Sequence, residues 1–205
     1  MAKTHSGGAR SAIDMLTQDH RRVQKLFKDF EKIGRDDDEA IRELVETACL
    51  ELQIHSMLEE EIFYPAVRAR AGDEKQEDLL NEAEVEHETV DELIAKVHAL
   101  EADDPMYCAY FTVLAEYVKH HVKEEEQELF PKVLEMDGLD LDQLGEDMRL
   151  RREELFAEME RGDEEGDATP GRKGSLEPGE IEIEDADDDE LEDEQEQIDI
   201  SRTRH

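Results

Sequence analysis

Six ionisable side chains interrupt the hydrophobic stripes of this chain at positions where a helical bundle normally places Leu or Val. Apolar residues recur at spacings of three and four from residue 11 to about residue 160, the period of amphipathic α-helices. The polar positions in these stripes are His20, His55, Glu59, His87, His121 and Glu125. Burial of an unpaired carboxylate is costly, and no Lys or Arg stands in the stripes to offset it. A bound cation would supply the positive charge, and this donor set suits iron, manganese or zinc.

The spacing of these residues repeats within the chain. His55 and Glu59 are four residues apart, as are His121 and Glu125, so each pair projects from one helix face within one turn. The preceding stripe histidine lies 35 residues upstream in the first copy and 34 residues upstream in the second. The chain therefore holds two copies of a helical hairpin. Paired about a pseudo-twofold axis, they bring together donors for two metal ions, with two terminal His for each ion and two bridging Glu.

The four stripes predict an all-α fold, an up-and-down four-helix bundle. The first helix opens at Ser11, which forms an N-terminal capping pair with Asp14, and ends near Gly34. We expect the second helix to stop at Pro65 and the fourth at Pro131, because proline cannot continue a helix interior. An extra C-terminal helix is predicted from residue 141 to residue 159, packed on the outside of the bundle or against a partner.

The charge of the chain divides it into parts. The formal net charge is -36, which repels phosphate backbones and anionic membranes and so predicts no nucleic-acid or membrane partner. The predicted domains are a flexible N-terminus over residues 1–10, the bundle over 11–160, and a disordered acidic tail over 161–205. We expect the tail to keep the protein soluble or to dock a protein partner.

A polar N-terminus and the absence of an 18-residue apolar run predict a cytoplasmic protein. Cys49 and Cys108 are expected to be small core residues.

At the six polar stripe positions the sequence resembles the hemerythrin family, specifically its HHE cation-binding branch. The order of ligands in that branch is His, His-x3-Glu, His, His-x3-Glu. The resemblance implies a non-haem di-iron centre inside the bundle, with two oxo- or hydroxo-bridged Fe ions. It carries over as iron ligands His20, His55, Glu59, His87, His121 and Glu125. The oxygen-carrying members have a His-x3-His pair on the third helix, whereas this chain has Ala83 and Asp91 around His87. The resemblance therefore does not extend to reversible oxygen carriage.

Several residues near these positions have two interpretations. Glu84 either adds a carboxylate to the site or is a solvated helix residue, and Tyr117 either orients a ligand or is a core aromatic. Glu60 and Glu126 either point outward or accept a hydrogen bond from the second nitrogen of a ligand. We expect His120 and Glu124 to form a pair on the surface. We expect His98 to lie too far away to join the site.

Three functions fit this reading. The first is a di-iron sensor or scavenger that binds oxygen, peroxide or nitric oxide. The second is an enzyme with peroxidase-, catalase- or ferroxidase-like turnover at the same centre. The third is a metal-responsive interaction module in which the fifth helix and the acidic tail recruit a protein. The resemblance makes the first of these the leading hypothesis, with oxygen, peroxide and nitric oxide as its alternative ligands.

Overall fold

The computed structural model describes residues 11–33, 37–72 and 74–166, and the side chains among them up to residue 159. The predicted flexible N-terminus over residues 1–10 lies outside these residues, as does the part of the predicted acidic tail from residue 167 onward. The described part is all-helical and contains no strand, which confirms the predicted fold class. Its elements are α1 (Ala12–Lys32), α2 (Asp38–Leu58), π1 (Glu59–Phe63), α3 (Tyr64–Arg68), α4 (Glu74–His98), α5 (Pro105–Glu124), π2 (Glu125–Leu129), α6 (Phe130–Leu134) and α7 (Leu141–Gly166).

Side-chain caps fix where the long helices begin. The hydroxyl of Ser11 accepts from the backbone N–H of Asp14, and the Asp14 carboxylate accepts from the backbone of Ser11, which confirms the predicted capping pair. Asp37 caps α2 in the same sense, and Asp104 caps α5 directly before Pro105. These caps satisfy backbone groups that would otherwise lack partners at the helix starts.

The second and fourth bundle helices each contain one π-helical turn and continue past their prolines. The backbone N–H of Tyr64 donates to the carbonyl of Glu59, a five-residue step, and the same step joins Phe130 to Glu125. The expected stops at Pro65 and Pro131 were therefore wrong. The wide turn places Pro65 in the first turn of the helix that follows, where a missing N–H costs no hydrogen bond. Single π turns of this kind are frequent at functional sites.

The bundle core consists of two apolar clusters. Helix α1 packs on α2, and α4 packs on α5, so the two hairpins face each other. One cluster includes Phe27 and Phe111, and the other includes Phe63 and Leu80. The six polar stripe positions fall between the two clusters along all four helices. They form a polar layer across the bundle with apolar packing on both sides.

Helix α7 is part of the second cluster. Met148 and Leu155 are fully buried there, and Gly138, at φ +77°, allows the turn that leads into the helix. The fifth helix therefore packs against the bundle itself. It continues to Gly166, beyond the boundary that composition predicts near residue 160. Within the residues described, the structure holds no helix long and apolar enough to cross a membrane.

Candidate metal centre

The four stripe histidines meet in two pairs, one pair from each hairpin. Nε2 of His20 lies 3.2 Å from Nε2 of His55, and Nε2 of His87 lies 3.2 Å from Nε2 of His121. All four rings are buried. Two nitrogens bound to the same metal ion, each at about 2.1 Å, are about 3.0 Å apart when the two bonds are at right angles. Each pair therefore has the spacing of two ligands on a single ion.

Glu59 connects the two histidine pairs. Its Oε2 atom lies 3.2 Å from Nε2 of His55 and 3.3 Å from Nε2 of His87, so one carboxylate oxygen reaches an imidazole in each hairpin. The π turn begins at this residue, at the point where the helix must present the carboxylate inward. This is the arrangement expected of a carboxylate that bridges two cations.

Glu125 repeats this relationship from the other hairpin. Its Oε2 atom lies 3.2 Å from Nε2 of His20 and 3.5 Å from Nε2 of His121. All the donor atoms of the layer thus occupy one small volume. Groups able to hold an ion are His20 with His55, Glu59 and Glu125, and His87 with His121 and Glu59. The structure brings together every residue of the predicted ligand set.

Buried acceptors without a hydrogen-bond donor support a cation at this place. Both carboxylate oxygens of Glu59 and the Oε2 atom of Glu125 are buried and have no hydrogen-bond partner. Such groups are destabilising unless something positive satisfies them. The described donor set fits a pair of metal ions: three orphaned carboxylate oxygens beside four imidazole nitrogens.

Without metal, the layer distributes protons unevenly. Burial, with the neighbouring Glu125 charge, raises the pKa of Glu59 well above its ordinary value. Burial opposes the charge of Glu125 as well, but the imidazoles of His121 and His20 outweigh it and lower its pKa. Burial likewise opposes the charge on His20, yet the neighbouring carboxylates of Glu125 and Glu126 raise its pKa to about 10. Burial lowers the pKa of His55 to about 4, despite its contact with Asp19. Because metal ligands are deprotonated, a metal ion bound here must compete against the raised pKa values of His20 and Glu59.

Each imidazole also faces a carboxylate through its second nitrogen. Nδ1 of His20 lies 2.8 Å from Glu126, that of His87 2.9 Å from Glu60, and that of His121 2.8 Å from Glu86, while His55 Nδ1 lies 3.5 Å from Asp19. Such partners fix the tautomer and the ring orientation of a metal-binding histidine. The hydrogen-bonding interpretation of Glu60 and Glu126 is confirmed.

Asp19 and Glu86 were missed at the sequence level. Each immediately precedes a stripe histidine, and this shared position was the available signal. Asp19 also forms an ion pair with Arg152 of α7, so the fifth helix is connected to His55 through a single carboxylate. Burial opposes the charge of Asp19, but its contacts with His55 and Arg152 lower its pKa.

Two aromatic residues cover the layer from the second cluster. The ring of Phe130 stacks on His20 at 5.8 Å, and that of Tyr64 stacks on His87 at 5.7 Å. These two occupy matching positions in the duplicated halves, one residue before each proline. Sequence reasoning assigned them no role, although the repeat marked both.

Two candidate residues do not join the centre. Glu84 is exposed and pairs with Arg68 over 2.7 Å, so the solvated interpretation holds. Tyr117 is 43% exposed, which contradicts both interpretations, because Val118 occupies the buried face instead.

His120 lies on the surface as predicted. Cys49 and Cys108 are free and buried, and burial raises the pKa of the Cys49 thiol to about 12.

A small cavity adjoins the four rings on the side of the first cluster. Its walls combine the polar layer with aliphatic side chains, which are Val23, Leu52, Val90, Val118 and Val122. Asp19 and Ser56 are its other polar lining residues. Apolar walls with a few polar groups are typical of sites for small molecules.

Comparison with known proteins gives three matches. The family model described as "Hemerythrin HHE cation binding domain" matches residues 11–133. A curated relative from Nostoc sp., described as a DNA nickase, is 28% identical over 120 residues, which are 58% of this chain and 32% of that protein. The chain thus spans about a third of that relative's length. The crystal structure of a hemerythrin HHE cation-binding domain-containing protein from Mycobacterium kansasii matches with a TM-score of 0.63 at 22% identity, and the match covers 80% of this chain and 95% of that one.

Proposed function

The chain belongs to the hemerythrin HHE cation-binding family, and from this premise we propose that its polar layer holds a non-haem di-iron centre. His20 and His55 would hold one ion, and His87 and His121 the other. Glu59 and Glu125 would bridge the two ions. The observation that carries this assignment is the group of buried carboxylate oxygens without hydrogen-bond donors beside the four imidazoles.

Iron is preferred over zinc for two reasons. Imidazole with carboxylate suits iron, manganese and zinc, but structural zinc sites in proteins often include thiolates. The two cysteines of this chain do not contribute, since both lie in the first apolar cluster, away from the metal-binding groups. The resemblance to hemerythrins points the same way.

The proposed activity is binding of a small oxidant, namely oxygen, peroxide or nitric oxide, as a sensor or scavenger. When bound, the iron pair supplies redox chemistry. The residues of the chain orient the imidazoles through their paired carboxylates and exclude bulk water with aliphatic walls. The cavity at Val90 and Val118 has the size and polarity for such a molecule but no group that would select a larger substrate.

An enzyme with sustained turnover is the second candidate. A carboxylate-rich di-iron layer suits peroxide breakdown or iron oxidation as well as sensing. A third candidate, a metal-responsive interaction module, is favoured by one specific observation. Arg152 of α7 pairs with Asp19, which contacts His55, so the fifth helix is in direct contact with a residue that supports the centre.

Nucleic-acid binding is not part of the proposal. The name of the Nostoc relative assigns DNA nicking to that protein, and this chain corresponds to about a third of it. The net charge of -36 on the present chain opposes contact with phosphate backbones.

Metal analysis of the purified protein tests the proposal, combined with optical spectra before and after one equivalent of peroxide. We expect two iron ions per chain and a spectral change that saturates at one equivalent. A single zinc ion per chain would overturn the di-iron assignment. Continued peroxide consumption over many equivalents would identify the enzyme instead of the sensor.

A pair of histidine variants provides the control. His121→Gln removes a proposed ligand, whereas His98→Gln removes an exposed histidine of α4 that lies outside the layer. The first variant is expected to lose at least one iron ion per chain and the second none. Equal iron content in the two variants would contradict the ligand assignment.

A further inference from the structure

A second group of metal-binding side chains lies at the surface beside the buried layer. It consists of Glu86 on α4 with His120 and Glu124 on α5. Nε2 of His120 lies 3.3 Å from Glu124 Oε1 and 3.9 Å from Glu86 Oε1. Donors on one metal ion at about 2.1 Å are separated by about 3.0 to 4.2 Å, from adjacent to opposite positions. The measured separations fall in this range.

The group continues inward to the buried layer through one carboxylate. Glu86 faces His120 with Oε1 and contacts Nδ1 of the buried His121 with Oε2, the latter over 2.8 Å. Side-chain exposure falls along this line from 62% at His120 to 31% at Glu124, 14% at Glu86, 6% at His121 and 2% at Glu125. Polar oxygen and nitrogen atoms therefore extend from solvent to the centre.

A narrow cavity follows the same route. Its lining includes Glu86, Glu124, His121 and Glu125, with Ala83 among its apolar walls. Glu125 is a buried member of this lining, and its Oε2 atom has no hydrogen-bond partner.

Comparison with the first hairpin shows that the fold does not require metal-binding residues at the positions of His120 and Glu124. In the first hairpin the positions that match His120 and Glu124 are Ile54 and Leu58. Both are fully buried in the cluster to which α7 contributes Met148. The repeat thus carries an aliphatic pair where a helix covers it and a metal-binding pair where the surface is open.

An ordinary solvated His-x3-Glu pair would account for two of these side chains. It would not account for the second oxygen of Glu86, which faces His120 while the first contacts His121, or for the cavity that Glu86, Glu124 and the buried Glu125 line together. We propose that Glu86, His120 and Glu124 form a surface site that captures a divalent cation and passes it to the buried centre. The excess of acidic residues over the chain favours the approach of cations to this site.

The rate of metal uptake tests the inference, which rests on the proposed function because it requires a centre to fill. Metal-free full-length protein is mixed with Co²⁺ alone, and visible absorption is followed by stopped flow. His120→Gln and Glu124→Gln change only exposed or half-exposed groups. We expect each to slow uptake by about tenfold, while the final content stays at that of the unaltered chain.

Matched controls separate the site from general charge. Glu116→Gln removes one exposed carboxylate from α5, and His98→Gln removes one exposed imidazole from α4; both should load at the original rate. Equal uptake rates in the site variants and the controls would overturn the inference. Failure of the unaltered chain to take up two ions would instead overturn the proposed function, so the two failures are distinguishable.

Discussion

The hydroxyl group of Tyr64 donates a hydrogen bond to Oε1 of Glu125 over 2.9 Å, from one hairpin into the carboxylate of the other. The matching aromatic residue of the second hairpin is Phe130, which has no hydroxyl group. Glu59 therefore lacks the donor that Glu125 has, and both of its oxygens remain without one. The pseudo-twofold layer is chemically asymmetric at its two carboxylates.

Replacement of Tyr64 by Phe tests this asymmetry. Loss of a buried hydrogen bond to a charged acceptor should lower the free energy of unfolding of the metal-free protein by about 2 kcal/mol. The fold should persist, because Phe130 occupies the matching position with the same stacking on an imidazole. Urea unfolding provides the measurement, with the exposed Tyr117→Phe as control. Equal stabilities of the two variants would show that the Tyr64 hydroxyl contributes nothing.

The pair formed by Asp19 and Arg152 predicts that the fifth helix stabilises the centre. Arg152→Met leaves the buried Asp19 carboxylate without its guanidinium and should cost about 3 kcal/mol of stability. Because Asp19 also orients His55, metal affinity should fall by about tenfold or more. Thermal unfolding and metal competition with a chelator measure the two effects.

Arg149→Met is the matched control on α7. Arg149 pairs with two exposed glutamates of its own helix, Glu146 and Glu153, so its loss should leave the stability close to that of the original chain. A similar affinity loss in both variants would argue for a general charge effect on α7 instead of a specific contact with Asp19.

Glu59→Gln should separate metal binding from folding. Burial raises the pKa of Glu59, which favours the protonated side chain in the metal-free protein, and an amide of the same shape replaces a protonated carboxyl group at small cost. The metal-free variant should therefore unfold within about 1 kcal/mol of the original chain. The stabilisation gained on adding metal should be largely lost. Calorimetric scans with and without iron compare these states, and full retention of the gain would exclude Glu59 as a ligand.

The stability of the metal-free protein should fall as pH rises above neutrality. Burial opposes the charge on His20, but the neighbouring carboxylates of Glu125 and Glu126 raise its pKa to about 10, against 6.5 for an ordinary histidine. The folded state thus holds a proton that the unfolded chain loses, and this stabilisation is complete below pH 6.5 and lost as pH rises through about 10. The raised pKa of Glu59 acts in the same direction. The pKa of His55, lowered to about 4, acts oppositely and costs stability as pH falls below 6.5.

Circular dichroism melting at several pH values measures this dependence. Between about pH 7 and pH 9 the metal-free Tm should decline, whereas metal-loaded protein should show a smaller slope because the ions have displaced these protons. His20→Gln should remove part of the slope in the metal-free state. A metal-free Tm that rises over this range would contradict the assigned direction.

Much of the fold followed from the sequence because helical periodicity is a local property. The stripes, the capping pair at Ser11 and the duplicated His-x3-Glu spacing were sufficient to predict four helices and a shared polar layer. The predicted ends of two helices, at Pro65 and Pro131, were wrong. The π turns at Glu59 and Glu125 depend on packing of the layer and not on the proline residues that follow.

Helical spacing fixes which side chains lie on the same face, because residues three and four apart share a helix face whatever surrounds them. The groups that support those side chains depend on how the helices pack. Asp19, Glu86, Tyr64 and Arg152 reach the layer from other helices, and their contacts depend on distances between elements that no local spacing encodes. The same reason explains why Glu84 lies outside the centre: it has the right helical spacing, but the packing of α4 turns it toward Arg68.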